Sequence, residues 1–256
     1  MFLRVVLALV TLALLAYGGV CLSMYLGQRQ QIYHPEASWR VQQPPDFTLV
    51  REGGVTLRGW VMNPGKPKAL LYFGGNGERI EDARSSLSAW FPDRTIYLLP
   101  YRGYAASEGE PNEAALIGDA AALFDDAARS HAQVAVIGRS LGSGVAVQLA
   151  ARRPVERLVL VTPFDSLVQV AAGYFPWLPV NALMRDRFES WRYAKDIHCP
   201  VLVIRADGDE VIPAARTMAL VRAFAPPPQV QVVTDAGHNT VQDHADYRVS
   251  LDRFLQ

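Results

Sequence analysis

Three residue types that cooperate in acyl transfer stand in glycine-bearing stretches of this chain. They are a serine in Ile137-Gly138-Arg139-Ser140-Leu141-Gly142-Ser143-Gly144, a histidine in Asp235-Ala236-Gly237-His238-Asn239-Thr240, and carboxylates in Arg205-Ala206-Asp207-Gly208-Asp209-Glu210. A serine hydroxyl is a weak nucleophile until a base takes its proton, and an imidazole serves as that base when a carboxylate holds its ring. Ser140 follows the apolar run Val134 to Ile137 and precedes the helix-like Val145 to Arg153. Gly138 and Gly142 flank it at the spacing GxSxG, which permits a tight strand-to-helix turn that lifts a hydroxyl clear of a sheet. The helix N-terminus then aims its amides and positive dipole end at the same place, and Gly144 would keep that helix close to the sheet. A serine so placed could instead be a plain helix N-cap. A phosphate cradle would need a GxxxxGK[ST] lysine or a GxGxxG, and neither is present.

His238 lies after the last strand-like run and before the terminal helix-like segment. The other histidines are poorly placed: His34 follows the apolar N-terminus, His131 and His198 precede strands, and His244 opens the final helix. These read as structural or solvated. Among the carboxylates, Pro213 suits the first turn of a helix, so Glu210 to Ile212 lead into it and Asp209 sits at the loop's end. Asp209 is the expected orienting acid, with Asp207 as the alternative and Glu210 as a solvated residue. The chain order Ser140, Asp209, His238 is one of the known triad orders. An oxyanion also needs donors: the Leu141 amide is one, and the loop Gly74 to Glu78, whose glycines let backbone approach a substrate, is the expected source of another.

Short apolar runs must position these loops. They fall at 69–73, 95–99, 134–137, 157–161, 201–204 and 230–233, and helix-like segments lie between them at 78–90, 112–129, 140–152, 213–224 and 244–255. Runs apolar throughout fit strands covered on both faces, and their alternation with helices predicts an α/β fold with a mostly parallel sheet and helices on both faces. Phe47 to Val50 and Val55 to Met62 read as a hairpin around Glu52-Gly53-Gly54. Ligands in such sheets sit at the carboxyl ends of the strands, where all the loops named above belong.

With 256 residues, half of them hydrophobic, the chain supports one sizeable core. Its 25 basic and 25 acidic residues balance without a basic block, which gives no reason to expect nucleic acid as a partner. Cys21 and Cys199 are far apart and belong to no cluster with ligand spacing, so neither a disulfide framework nor a metal site is expected. Val5 to Leu26 carries no formal charge. As a helix it would extend about 33 Å, enough to cross a bilayer core. No small-x-small cleavage site follows, so an uncleaved single-pass anchor is expected. Arg4 on one side and Arg29 and Arg40 on the other leave the orientation to a slight preference for a cytoplasmic N-terminus and an exported domain. The expected organisation is an anchor over 1–27, a polar, proline-bearing connector over 28–45 that holds the domain off the membrane, and a domain over 46–256, soluble on its own.

The stretches LYFGGNGE, YRGYAASEGEPNE, GRSLGSG, TPFDSL, ADGDEVIP and AGHNT, in this order and spacing, resemble the α/β-hydrolase superfamily, in particular its membrane-anchored ABHD-type serine hydrolases. The resemblance covers nearly all of residues 30–256. It implies that Ser140 is the nucleophile, Asp209 the acid and His238 the base, that Asn76 gives the second oxyanion amide, and that no cofactor is needed. The chain departs from the family at Gly74, where a histidine is usual, and at Ala206, often glycine; neither change removes a catalytic atom. A short cap is expected over about 163–197, with Tyr174, Phe175, Trp177 and Phe188 as candidate pocket walls for an acyl chain. The activity implied is cleavage of carboxylic esters or thioesters, and the anchor beside an aromatic-lined site makes lipid-derived acyl groups the expected substrates. A serine peptidase on the same fold and a non-catalytic membrane-tethered binding module are the alternatives. A dehalogenase would need a carboxylate where Ser140 stands, and a nicotinamide enzyme its glycine fingerprint.

Overall fold

The computed structural model describes every residue from Met1 to Gln256. Helix α1, Phe2–Ile32, has 31 residues, none of them buried. It is about 46 Å long, carries no formal charge from Val5 to Leu26, and is long and apolar enough to cross a bilayer. It runs on past residue 27 without a break. Residues 28–45 are packed rather than extended: Tyr33 is fully buried, Tyr104 donates to its carbonyl at 2.8 Å, and the Gln42 and Gln43 amides donate to the Glu81 carboxylate at 2.9 and 2.6 Å. Ile32, Tyr33 and Val41 carry apolar surface into the two cores, surface that a stand-off connector would leave in water.

The elements then follow in the order β1 (Phe47–Val50), β2 (Thr56–Met62), β3 (Lys68–Phe73), α2 (Arg84–Trp90), β4 (Arg94–Leu98), α3 (Glu113–Ala127), β5 (Gln133–Arg139), α4 (Leu141–Ala150), β6 (Leu158–Val161), α5 (Leu167–Tyr174), α6 (Val180–Leu183), β7 (Val201–Ala206), α7 (Ala214–Ala223), β8 (Gln229–Val233) and α8 (Ala245–Leu255). They form one eight-stranded sheet in the order β1-β2-β4-β3-β5-β6-β7-β8. Only β2 runs against its neighbours, and β4 to β8 and β3 are parallel. The α/β class and the mostly parallel sheet expected from the alternating runs are those found.

Alternation along the strands divides the core in two. Leu71 and Phe73 of β3 pack with Leu123 and Phe124 of α3 and Val145 and Leu149 of α4, whereas Leu70 and Tyr72 pack with Leu87 of α2 and Leu251 and Phe254 of α8. All of α4 is buried. Its small residues make that possible, but they divide the work differently from the expectation. A Cβ on Gly142 would lie 2.0 Å from the Phe73 carbonyl oxygen, and one on Gly144 would lie 2.9 Å from the ring of Phe188. Gly142 therefore seats α4 on the end of β3, and Gly144 seats it under the cap rather than on the sheet. The register sets Phe73 opposite Gly138 and Arg139 opposite Val161, so β3, β5 and β6 end level and present their loops side by side.

Candidate active site

Ser140 stands between β5 and α4 at φ 49°, ψ −117°. For a residue with a Cβ this is sparsely populated backbone, costing roughly 1–3 kcal/mol, and the surrounding fold must hold it there. The Ser140 amide donates to the Val161 carbonyl at 2.9 Å, fastening the turn to β6. Although Ser140 occupies the N-cap position, its side chain makes no capping hydrogen bond, so the plain N-cap reading does not describe it. Its Oγ instead lies 2.9 Å from Nε2 of His238. Both residues are buried.

The other ring nitrogen of His238 lies 2.9 Å from Oδ2 and 3.0 Å from Oδ1 of Asp209. An ionised carboxylate only accepts, so Nδ1 carries the proton and Nε2 accepts from the serine hydroxyl. Asp209 is itself held by the amides of Val211 and Ile212, which donate to Oδ1 at 3.0 and 2.7 Å. Asp207 turns away from the imidazole and accepts from the Ala236 amide at 3.3 Å. Glu210, expected to be solvated, accepts from the His238 amide at 3.3 Å. All three carboxylates of the loop after β7 thus engage the adjoining chain, and one reaches the ring. The remaining histidines lie elsewhere; His131, for instance, is buried between the Tyr97 hydroxyl and the Lys66 carbonyl. Cys199 is no rival nucleophile, since burial pushes its thiol up to about 11.

The loop after β3 is fixed from several directions. Gly74 accepts from the Tyr101 hydroxyl at 2.8 Å, the Gly75 amide donates to Glu78 at 2.6 Å, and a Cβ on Gly75 would lie 3.4 Å from Cβ of Ser140. The amide of Asn76 has no acceptor within the protein, and Leu141, as the first residue of α4, has none within the helix. Both residues border the cavity that contains Ser140.

Two residues that sequence reasoning passed over tie this arrangement together. Arg139 donates through Nη1 to Glu78 at 2.8 Å, and through Nη2 to the His238 carbonyl at 3.2 Å and Oδ1 of Asn239 at 3.0 Å. Glu78 also accepts from the Tyr72 hydroxyl at 2.5 Å. One ion pair therefore joins the loop after β3, the serine turn and the histidine loop. A signal was present in the sequence: an arginine ends one apolar run, and a glutamate follows the glycine loop that ends the neighbouring one.

The cavity has a volume of about 300 Å³ and a mostly apolar lining. Tyr174 and Phe175 line it, as do Phe164, Leu167 and Ile212. Trp177 and Phe188 do not. Trp177 is 56% exposed on the outside of the cap, while Phe188 is fully buried in the core beneath it, because its ring fills the space that Gly144 leaves.

No family model matches this chain. It is 35% identical over 266 residues to an uncharacterized protein of Mycobacterium tuberculosis, the match covering 97% of this chain and 94% of that one. It is also 29% identical to an alpha/beta hydrolase domain-containing protein, aho-3, of Caenorhabditis elegans, over 75% of this chain and 58% of that protein. With the lysophosphatidylserine lipase ABHD12 of Xenopus tropicalis the identity is 28%, over 70% of this chain and 50% of the lipase; the chain thus spans about half the length of these two relatives. Among solved structures, an esterase of Pyrococcus furiosus superposes with a TM-score of 0.67 at 17% identity, covering 83% of this chain and 91% of the esterase. Sheet order, full-length similarity and the hydrolase-domain relatives agree, and the chain belongs to the α/β-hydrolase superfamily, as an ABHD-type hydrolase.

Proposed function

We propose that this hydrolase is a membrane-anchored serine esterase acting on single-chain acyl lipids. The observation that carries the reading is the contact series Asp209, His238 Nδ1, His238 Nε2, Ser140 Oγ, with neither step longer than 3.0 Å, ending on a hydroxyl held in strained backbone and bordering a mostly apolar cavity.

In this reading His238 takes the Ser140 proton as Oγ attacks the acyl carbonyl carbon. The carbonyl oxygen becomes an oxyanion that accepts from the Leu141 and Asn76 amides; each such donor lowers the barrier by about 3 kcal/mol. As the tetrahedral intermediate collapses, His238 returns the proton to the departing alcohol. Water then attacks the acyl-enzyme, losing its proton to the same imidazole, which passes it to Ser140 Oγ as the acyl–oxygen bond breaks and the acid leaves. Asp209 holds the ring in the required tautomer and stabilises the imidazolium.

Residues 1–27 serve as the anchor, and residues 46–256 carry the catalytic machinery. A cavity of about 300 Å³ is at the lower end of the range for ligand pockets, which suits one acyl chain rather than two. The name of the ABHD12 relatives, lysophosphatidylserine lipase, points to the same class of lipid.

The test is turnover of p-nitrophenyl butyrate and of a lysophospholipid by the full chain in vesicles. Ser140→Ala is expected to lower kcat on the order of 10⁶-fold. Equal turnover by the wild type and Ser140→Ala would remove the serine from the reaction.

A further inference from the structure

Helix α1 is more than an anchor. Met24, Gln28, Gln31 and Ile32 stand among the side chains around the cavity that holds Ser140, and positions 24, 28, 31 and 32 lie along one face of a helix. The same stretch of α1 is fastened to the cap. The Tyr17 hydroxyl donates to the Trp177 carbonyl at 2.9 Å, and the Arg29 guanidinium pairs with Asp186 at 2.8 Å. Gln28 donates to the Leu183 carbonyl at 3.2 Å and accepts from the Arg185 amide at 2.7 Å. The polar atoms of Gln28 are thus satisfied by the cap, and what it offers the cavity is its methylene stem. Cys21 and Met24 pack against Val168, Leu178 and Val180 of the cap.

These contacts set the cap against the middle and the end of α1. Tyr17, Cys21 and Met24 all belong to the uncharged stretch Val5 to Leu26. Tyr17 is about four turns from Ile32, about 22 Å along the axis, so the cap lies beside the apolar part of the helix and not only beside its polar end. On that flank Trp177 is 56% exposed, a side chain with one apolar and one polar end, of the kind that sits at a membrane surface.

Resting on the esterase reading above, we propose that α1 is a wall of the acyl site and that Met24 helps set the chain length accepted. The membrane helix and the cap then form one substrate-selecting unit.

The test uses the full chain in phosphatidylcholine vesicles and compares kcat/KM for p-nitrophenyl dodecanoate and butyrate. Met24→Trp is expected to lower the dodecanoate-to-butyrate ratio about tenfold or more, since a single misplaced methylene already matters at that scale. Met24→Ala is expected to raise the ratio, and it carries the test if the tryptophan variant does not fold. Leu12→Trp, on the exposed part of the same helix, keeps the wild-type ratio. Unchanged ratios in both Met24 variants of an active enzyme overturn the wall assignment and leave the esterase reading intact. If the wild type cleaves neither ester, both readings fall.

Discussion

Ser140 holds φ 49°, ψ −117° because its neighbours on both sides are used for something else. Gly138 and Gly142 admit backbone and Ala146 within distances that a Cβ would occupy, which allows β5, α4 and the end of β3 to close around the serine. The pentapeptide was legible in the sequence because glycine is the residue that such closeness requires. The acid was legible only in part. Asp207, Asp209 and Glu210 differ by a turn of backbone, and the Asp209 contacts to the Val211 and Ile212 amides are what aim one of them at the ring. Asp209→Asn keeps an oxygen for those amides but no longer fixes the proton on Nδ1. Its kcat is expected to fall on the order of 10⁴-fold with little change in thermal stability, as ester turnover and a melting curve would read. A loss of activity matched by loss of fold would mean that Asp209 is structural.

At the level of elements, the strands and the helices on them follow from apolar runs and periodicity, which is why the sheet could be anticipated almost strand by strand. Two things could not. Which cap aromatics face the cavity depends on how α5 and α6 fold back, and no local pattern separates Phe175, in the wall, from Phe188, in the core. The role of Glu78 and Arg139 depends on β3 and β5 being neighbours, a fact of topology. Both residues sit in low-dielectric surroundings, with side-chain exposures of 18% and 10%. Glu78→Ala would leave Arg139 charged, buried and missing its main partner, while Gly75 and Tyr72 would lose an acceptor. Such a variant is expected to lose roughly 3–5 kcal/mol of stability, measured as a lowered urea midpoint. A midpoint unchanged from wild type would show that the three loops are held without this pair.

Taken whole, the molecule has one core on each face of its sheet, and phenols are built into both. Burial is the main cause that raises Tyr72, Tyr101, Tyr104 and Tyr247 above the ordinary tyrosine value, with the Glu78 charge adding to the effect on Tyr72. Because their folded values are raised, their contribution is fully present below about pH 10, the unfolded value, and is lost as pH rises through the folded ones. Unfolding in alkali should therefore release these tyrosines together, as a step in tyrosinate absorbance coincident with loss of helix; gradual titration at unfolded values would contradict it. At the N-terminus the sequence shows one role of two. Composition marks residues 1–27 as an uncleaved anchor, and in the structure Met24, Gln28, Gln31 and Ile32 also border the cavity while Arg29 is paired with Asp186 of the cap. An apolar helix has the same composition whether lipid or protein faces it, so only the tertiary contacts reveal the second role. The central claim remains that Ser140 is the nucleophile. Its most direct test is the intact mass of the full-length protein after reaction with a fluorophosphonate. One phosphonyl group per chain, mapped to Ser140 and absent from Ser140→Ala, is the result predicted here; no adduct on folded protein, or an adduct at another residue, would contradict it.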